Sequence, residues 1–270
     1  MRQPKMMLIL FALIISFATN HPAQAQQGKT YQQMTQVERS AFVSEQARRI
    51  AREMAGNEYA FTAAFEDDIR QSVDQYMRRI SKNAGDGSVK RDVRLVFERG
   101  TAQAPIMIAA FKARNVSPLI GLYIPWVESE YINIETPNTM GALGMYQFIP
   151  QTGERLGLSP QDLLDVGKSA DAAARYITNN LELFKDDPMK EALALLAYNR
   201  GEQRTAREVK FLITEQTKQC SICALTADRS KLDETFRSES VFYVPRFFAA
   251  AIIGENPSAF GLQGQPLSAH

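Results

Sequence analysis

Apolar positions recur at helical spacing through most of the chain, and the alternation that marks a strand is almost absent. Val43, Ala47, Ile50, Ala51 and Met54 share one helical face. Phe61, Phe65, Ile69, Val73, Tyr76, Met77 and Ile80 share the face of a second helix. Residues 81–88 have turn composition, after which Val89, Val93, Val96 and Phe97 resume helical spacing; a short strand at 93–97 is the alternative. With no internal repeat, long low-complexity region or change of composition class, the pattern predicts one all-α domain preceded by a helical N-terminal extension.

Ser117-Pro118 reads as a helix start, with Ser placed to cap free N–H groups and Pro tolerated in the first turn. The helix that follows is apolar nearly all round, as a core helix is, and Pro125 interrupts its hydrogen bonding one turn before Glu128. Glu128 therefore emerges near the C-terminal end of a dry helix. Burial and the negative end of the helix dipole both favour its protonated form. On this segment alone, Glu128 and Glu130 could equally mark the point where the helix surfaces into solvent. Glu130, two residues further on, is expected to face elsewhere on the helix.

Composition narrows the function classes. The 270 residues are 45% hydrophobic and 23% charged, enough for a substantial core and unlike a disordered chain. Lys plus Arg total 31 against 30 for Asp plus Glu, which removes the basic excess of a dedicated nucleic-acid binder. Only two His and two Cys are present, so no metal cofactor is expected. Residues 1–25 read as a secretory leader: Arg2 and Lys5, then an apolar run from Met6 to Ala18, then Ala23-Gln24-Ala25 as a cleavage site. The run is shorter than the roughly 20 residues that span a bilayer. No Cys near the cleavage site could accept a lipid. The expected product starts near Gln26, is close to neutral, has no transmembrane segment and is periplasmic or secreted.

The motifs lie in the middle of the chain. Glu128-Ser129 is followed by Gly141-Ala-Leu-Gly144-Met145-Tyr146-Gln147-Phe148-Ile149-Pro150, where two glycines permit close approach beside aromatic and amide groups. An apolar helix from Met189 to Asn199 then ends in Ala197-Tyr198-Asn199-Arg200-Gly201, with Gly201 as its stop. In this order and spacing, with the Ala-rich stretch 171–177 and the segment 238–247, the chain resembles the family-1 lytic transglycosylases, especially the membrane-bound lytic transglycosylase D branch. The resemblance covers roughly residues 105–262. It implies a lysozyme-like (goose-type, SLT) helical domain there, after a leader at 1–25 and an extension at 26–104, with a tail at 263–270.

Carried over by motif, the resemblance makes Glu128 the sole catalytic acid/base. Ser129, Tyr146, Gln147, Tyr198, Asn199 and Glu239 become saccharide-groove residues. On residue chemistry alone, the alternative is backbone capping for Gln147 and Asn199, core packing for Tyr198 and surface charge for Glu239. Asn138 stands where the family often has Ser, Arg200 replaces a small residue after Ala-Tyr-Asn, and the segment 202–234 looks longer than is typical. Cys220 and Cys223 in that loop-rich segment are expected to form a local disulfide. The chain ends soon after the domain, so the LysM wall-binding modules common in the branch are not expected.

The implied partner is the peptidoglycan glycan strand, cut between N-acetylmuramic acid and N-acetylglucosamine without metal or organic cofactor. Glu128 would protonate the leaving oxygen, the substrate's acetamido group would stabilise C1, and the C6 hydroxyl would close an anhydro ring. A hydrolytic muramidase and a non-catalytic wall-binding scaffold are the alternatives. A thiol oxidoreductase built on Cys220 and Cys223 lacks the βαβ pattern it would need.

Overall fold

The computed structural model describes residues 28–80 and 92–270. The expected leader and the turn-rich segment 81–88, with Val89, lie outside the described residues.

The N-terminal helices form where the apolar periodicity places them. Helix α1 (Gln36–Ala55) begins with a reciprocal Thr35–Glu38 capping box and ends at Gly56 in the left-handed region. Its five predicted face residues are all buried. Helix α2 (Ala63–Met77) is capped by Thr62 and buries Phe65, Ile69, Val73, Tyr76 and Met77. Asp92 caps α3 (Val93–Lys112), so residues 93–97 open a helix and the strand alternative falls. The expected domain boundary at 104/105 lies within α3 rather than in a linker.

Helix α4 (Pro118–Glu128) is buried from Leu119 to Trp126. Pro118 occupies its first turn as expected, but the Ser117 hydroxyl makes no cap bond and sits buried without a partner. After α5 (Pro150–Arg155), α6 (Val166–Leu183) and α7 (Lys190–Arg200), the segment 202–234 folds into α8 (Glu202–Leu212) and α9 (Ser221–Ala227) and enters α10 (Glu234–Ser238). It is therefore helical, not loop-rich. Arg200 explains how the segment is held: its buried guanidinium pairs with Glu208 at 2.5 Å and Asp233 at 2.7 Å, clamping the start and the end of the excursion. The Cys220–Cys223 disulfide is formed, and Cys223 Sγ accepts the Thr62 N–H at 3.4 Å, against the N-cap of α2.

Helix α11 (Tyr243–Glu255) is buried along almost its whole length and packs on α1, α2, α4 and α7. The N-terminal helices thus share one core with the rest of the chain. The tail docks as well: Leu267 is fully buried, and Ser268 donates to Glu255, which also accepts from the buried Tyr123 hydroxyl. Among the described residues there is no strand beyond an isolated bridge between Leu143 and Phe148, and the chain is all-α.

Candidate active site

Glu128 is the last residue of α4, and its half-buried side chain lines a cleft of about 510 Å³. The Tyr243 hydroxyl, from the first turn of α11, donates to Glu128 Oε1 at 2.8 Å. Burial pushes the Glu128 carboxyl up from 4.5 to about 7, while the Tyr243 hydrogen bond and the charge of Arg246 draw it back down. The group thus sits near the point where it can both give and take a proton at neutral pH. Burial and the proximity of Glu128 push the hydroxyls of Tyr243 and Tyr198 well above their usual range, so both are donors.

The chain leaves α4 through an uncommon backbone. Glu130 and Tyr131 adopt φ of 54° and 60°, in the left-handed region that non-glycine residues seldom enter. Three anchors hold them there. Arg79, in the turn that follows α2, pairs with the Glu130 carboxylate at 2.5 Å, Arg99 of α3 donates to the Glu130 carbonyl at 2.9 Å, and the Tyr131 hydroxyl donates to the Leu122 carbonyl at 2.7 Å. The expectation that Glu130 faces away along a continuing helix is therefore corrected. The helix has already ended, and the reversed turn returns Glu130 to the wall of the same cleft.

Ser129 and the 141–150 loop form the adjoining structure. The buried Ser129 hydroxyl donates to the Met145 carbonyl at 2.7 Å, which ties the loop to the end of α4. Asn138 accepts the N–H groups of Met140 and Ala142 through its side chain, the turn-closing work that accounts for an Asn at this position. Gly144 has φ of 73°, and a Cβ there would lie 2.0 Å from the Leu163 carbonyl oxygen, so only glycine fits. Gln147 is also left-handed, at φ of 51°, and its amide donates to the Gly144 carbonyl at 2.7 Å.

The remaining expected groove residues divide. Tyr198 donates to the Tyr146 carbonyl at 2.8 Å and packs against Phe148 and Tyr176. Neither Tyr198 nor Gln147 is among the residues that line the Glu128 cleft. Tyr146 is a correction: it has no exposed surface, its hydroxyl is bound to the Gly121 carbonyl, and its ring stacks on Phe111, so it supports the loop from within the core. Asn199 is exposed at the end of α7. Glu239 is exposed beyond α10 and presents its carbonyl to Arg246.

Several residues that line the cleft or support Glu128 escaped the sequence reading. Tyr243 and Arg246 lie one helical turn apart in the quoted segment 238–247, a spacing that could have signalled a shared face. Further lining comes from Ser72, Gln75 and Tyr76 of α2 and from Arg79 in the turn that follows it. Tyr76 meets Trp126 of α4 edge to face at 6.0 Å, which seats α2 against the acid-bearing helix.

Part of the chain has a counterpart among known families. Residues 105–219 match the Transglycosylase SLT domain. No curated protein matches the chain. The SLT match supports lytic transglycosylase-type activity on peptidoglycan in general, and the all-α architecture is consistent with a lysozyme-like SLT domain. The match takes in Glu128, Ser129, Tyr146, Gln147, Tyr198 and Asn199. Tyr243, Arg246, Glu239 and all of α2 lie outside the matched SLT residues. Among the described residues, no helix is long and apolar enough to cross a membrane.

Proposed function

We propose that the protein is an exported lytic transglycosylase of the membrane-bound lytic transglycosylase D type, cleaving the β-1,4 bond between N-acetylmuramic acid and N-acetylglucosamine in peptidoglycan. The observation that carries this reading is a lone acid of suitable strength: Glu128, raised to about 7 by burial and oriented by Tyr243. The other carboxylate lining the cleft, Glu130, is committed to Arg79. That pairing favours a single-acid mechanism over the two-carboxylate arrangement of ordinary glycosidases.

In the proposed reaction, Glu128 gives its proton to the glycosidic oxygen as the bond to C1 of the muramic residue breaks. The acetamido group of the same sugar stabilises C1. Glu128, now a carboxylate, takes the proton of the C6 hydroxyl as that oxygen closes onto C1. The products are an N-acetylglucosamine 4-hydroxyl and a 1,6-anhydromuramic end, and no water is consumed. Tyr198 and Gln147 are proposed as saccharide contacts, with Ser129 and Tyr146 holding the loop that carries Gln147. Digestion of purified sacculi followed by mass analysis tests the reading. Anhydro ends are expected, reducing ends would indicate a hydrolytic muramidase, and the absence of any cleavage would leave a wall-binding scaffold.

A further inference from the structure

The cleft carries a charge that the proposed reaction does not use. Of its four ionisable carboxylate and guanidinium groups, Arg79 and Glu130 neutralise each other at 2.5 Å. Glu128 is held largely in its uncharged form below neutral pH by burial. Arg246 remains. Its Nε donates to the Phe242 carbonyl at 3.2 Å and its Nη2 to the Glu239 carbonyl at 3.3 Å, and among the described residues it forms no ion pair. A guanidinium has five N–H donors, so these two bonds fix its position while leaving donors for a ligand. The side chain is half-buried on the cleft wall, one turn beyond Tyr243. A partly desolvated cation fixed by main-chain oxygens suits a planar anion that can accept two parallel hydrogen bonds.

We propose that Arg246 is a specificity-determining residue that binds a carboxylate carried by the muramic-acid unit of the glycan strand. The inference rests on the reading of this cleft as a peptidoglycan site. Two parts of the substrate offer that chemistry: the peptide stem, and the lactyl group once the stem has been removed. The neutral N-acetylglucosamine unit offers none, so Arg246 distinguishes the two sugars that alternate along the strand. A carboxylate at Arg246 also offsets the pull that this cation exerts on Glu128 toward the ionised form.

The test measures binding, so it does not depend on the reaction product. Full-length Glu128→Gln protein, with Arg246 intact or replaced by Gln or Lys, is titrated with three preparations of glycan strands. One bears stems, one has been stripped by an amidase, and one has every carboxylate converted to a methylamide. Arg246→Gln is expected to weaken binding by about 10-fold or more on a carboxylate-bearing preparation, with Lys intermediate, and to leave the amidated strands within about twofold. Loss on stem-bearing strands assigns the stem; loss on stripped strands assigns the lactyl group. Equal loss on all three preparations, or loss on none, overturns the proposal. Should Arg246→Gln fail to fold, the Arg246-intact protein alone decides: equal affinity for carboxylate-bearing and amidated strands overturns it. Carboxylate-dependent binding without anhydro products from the wild type would remove the transglycosylase reading and leave this one standing.

Discussion

The hydroxyl of Tyr243 donates to Glu128 Oε1 at 2.8 Å across a sequence separation of 115 residues. One end of α11 thereby tempers the effect of burial on an acid that α4 supplies. Burial alone would keep the carboxyl neutral, whereas the phenol stabilises its ionised form. The two influences oppose each other, so neither proton state of Glu128 is prohibitively costly. A residue that must donate and then accept needs that balance.

The balance has a pH signature. Because the protonated form starts the reaction, kcat/KM for anhydromuropeptide release should fall as pH rises through about 7. Tyr243→Phe removes a hydrogen bond to the charged form, so the alkaline fall should move upward by about one pH unit. Initial rates on soluble glycan strands across pH would show this. A Phe variant whose alkaline limb stays in place would break the assigned link between the two residues.

Glu128 should also cost the fold stability at alkaline pH. Its folded-state pKa, about 7, exceeds its ordinary 4.5, so the native state retains a proton that the unfolded chain releases. The stability tied to that proton is fully present below the unfolded value and is lost as pH rises to the folded value. The loss is on the order of 3 kcal/mol. Glu128→Gln carries no such burden and should unfold later than the wild type in urea at about pH 8, with the gain largely gone at about pH 4.5. A gain of equal size at both pH values would mean that packing, not ionisation, is responsible.

Much of the helical core was legible because Val43 to Met54 and Phe65 to Met77 repeat at 3.6-residue spacing, and a helix buried on one face needs that pattern. What the pattern cannot encode is which surroundings the other face meets. Ser72 and Gln75 of α2, and Arg79 just beyond it, look like solvent positions in sequence, yet they line the cleft. Tyr146 misled in the opposite direction: an aromatic beside glycines reads as a ligand platform, but Phe111 and the Gly121 carbonyl claim its ring and hydroxyl. The dry helix alone left Glu128 open between a buried acid and a solvent-facing helix end, and the motifs that follow it singled it out. Its hydrogen-bond partner was not legible, since no local spacing joins α4 to α11.

The disulfide should matter little to catalysis. Cys220 and Cys223 close a short ring beside the N-cap of α2, on a segment whose ends are already clamped by Arg200. By loop entropy such a ring contributes about 2 kcal/mol. Replacing both cysteines with Ser should lower the urea midpoint accordingly and leave sacculus digestion near the wild-type rate. Two free thiols in unreduced protein, or an inactive but folded double variant, would contradict this account.

The two carboxylates of the cleft separate the chemical role from the structural one. Glu128→Gln keeps the shape of the side chain and can still meet the Tyr243 hydroxyl, but it can neither donate the proton to the leaving oxygen nor recover it from the C6 hydroxyl. Its cleavage rate should fall at least about 100-fold while strand binding persists. Glu130→Gln leaves Glu128 and Tyr243 untouched and instead weakens a half-buried pair with Arg79, one of three anchors on the left-handed turn that follows α4. It should cost about 1 kcal/mol of stability, as a partly exposed ion pair does, and keep most of the activity. Matched assays of muropeptide release and urea unfolding on the two variants give the comparison. If Glu130→Gln lost as much rate as Glu128→Gln while remaining folded, the cleft would hold two catalytic carboxylates and the single-acid mechanism would have to be replaced.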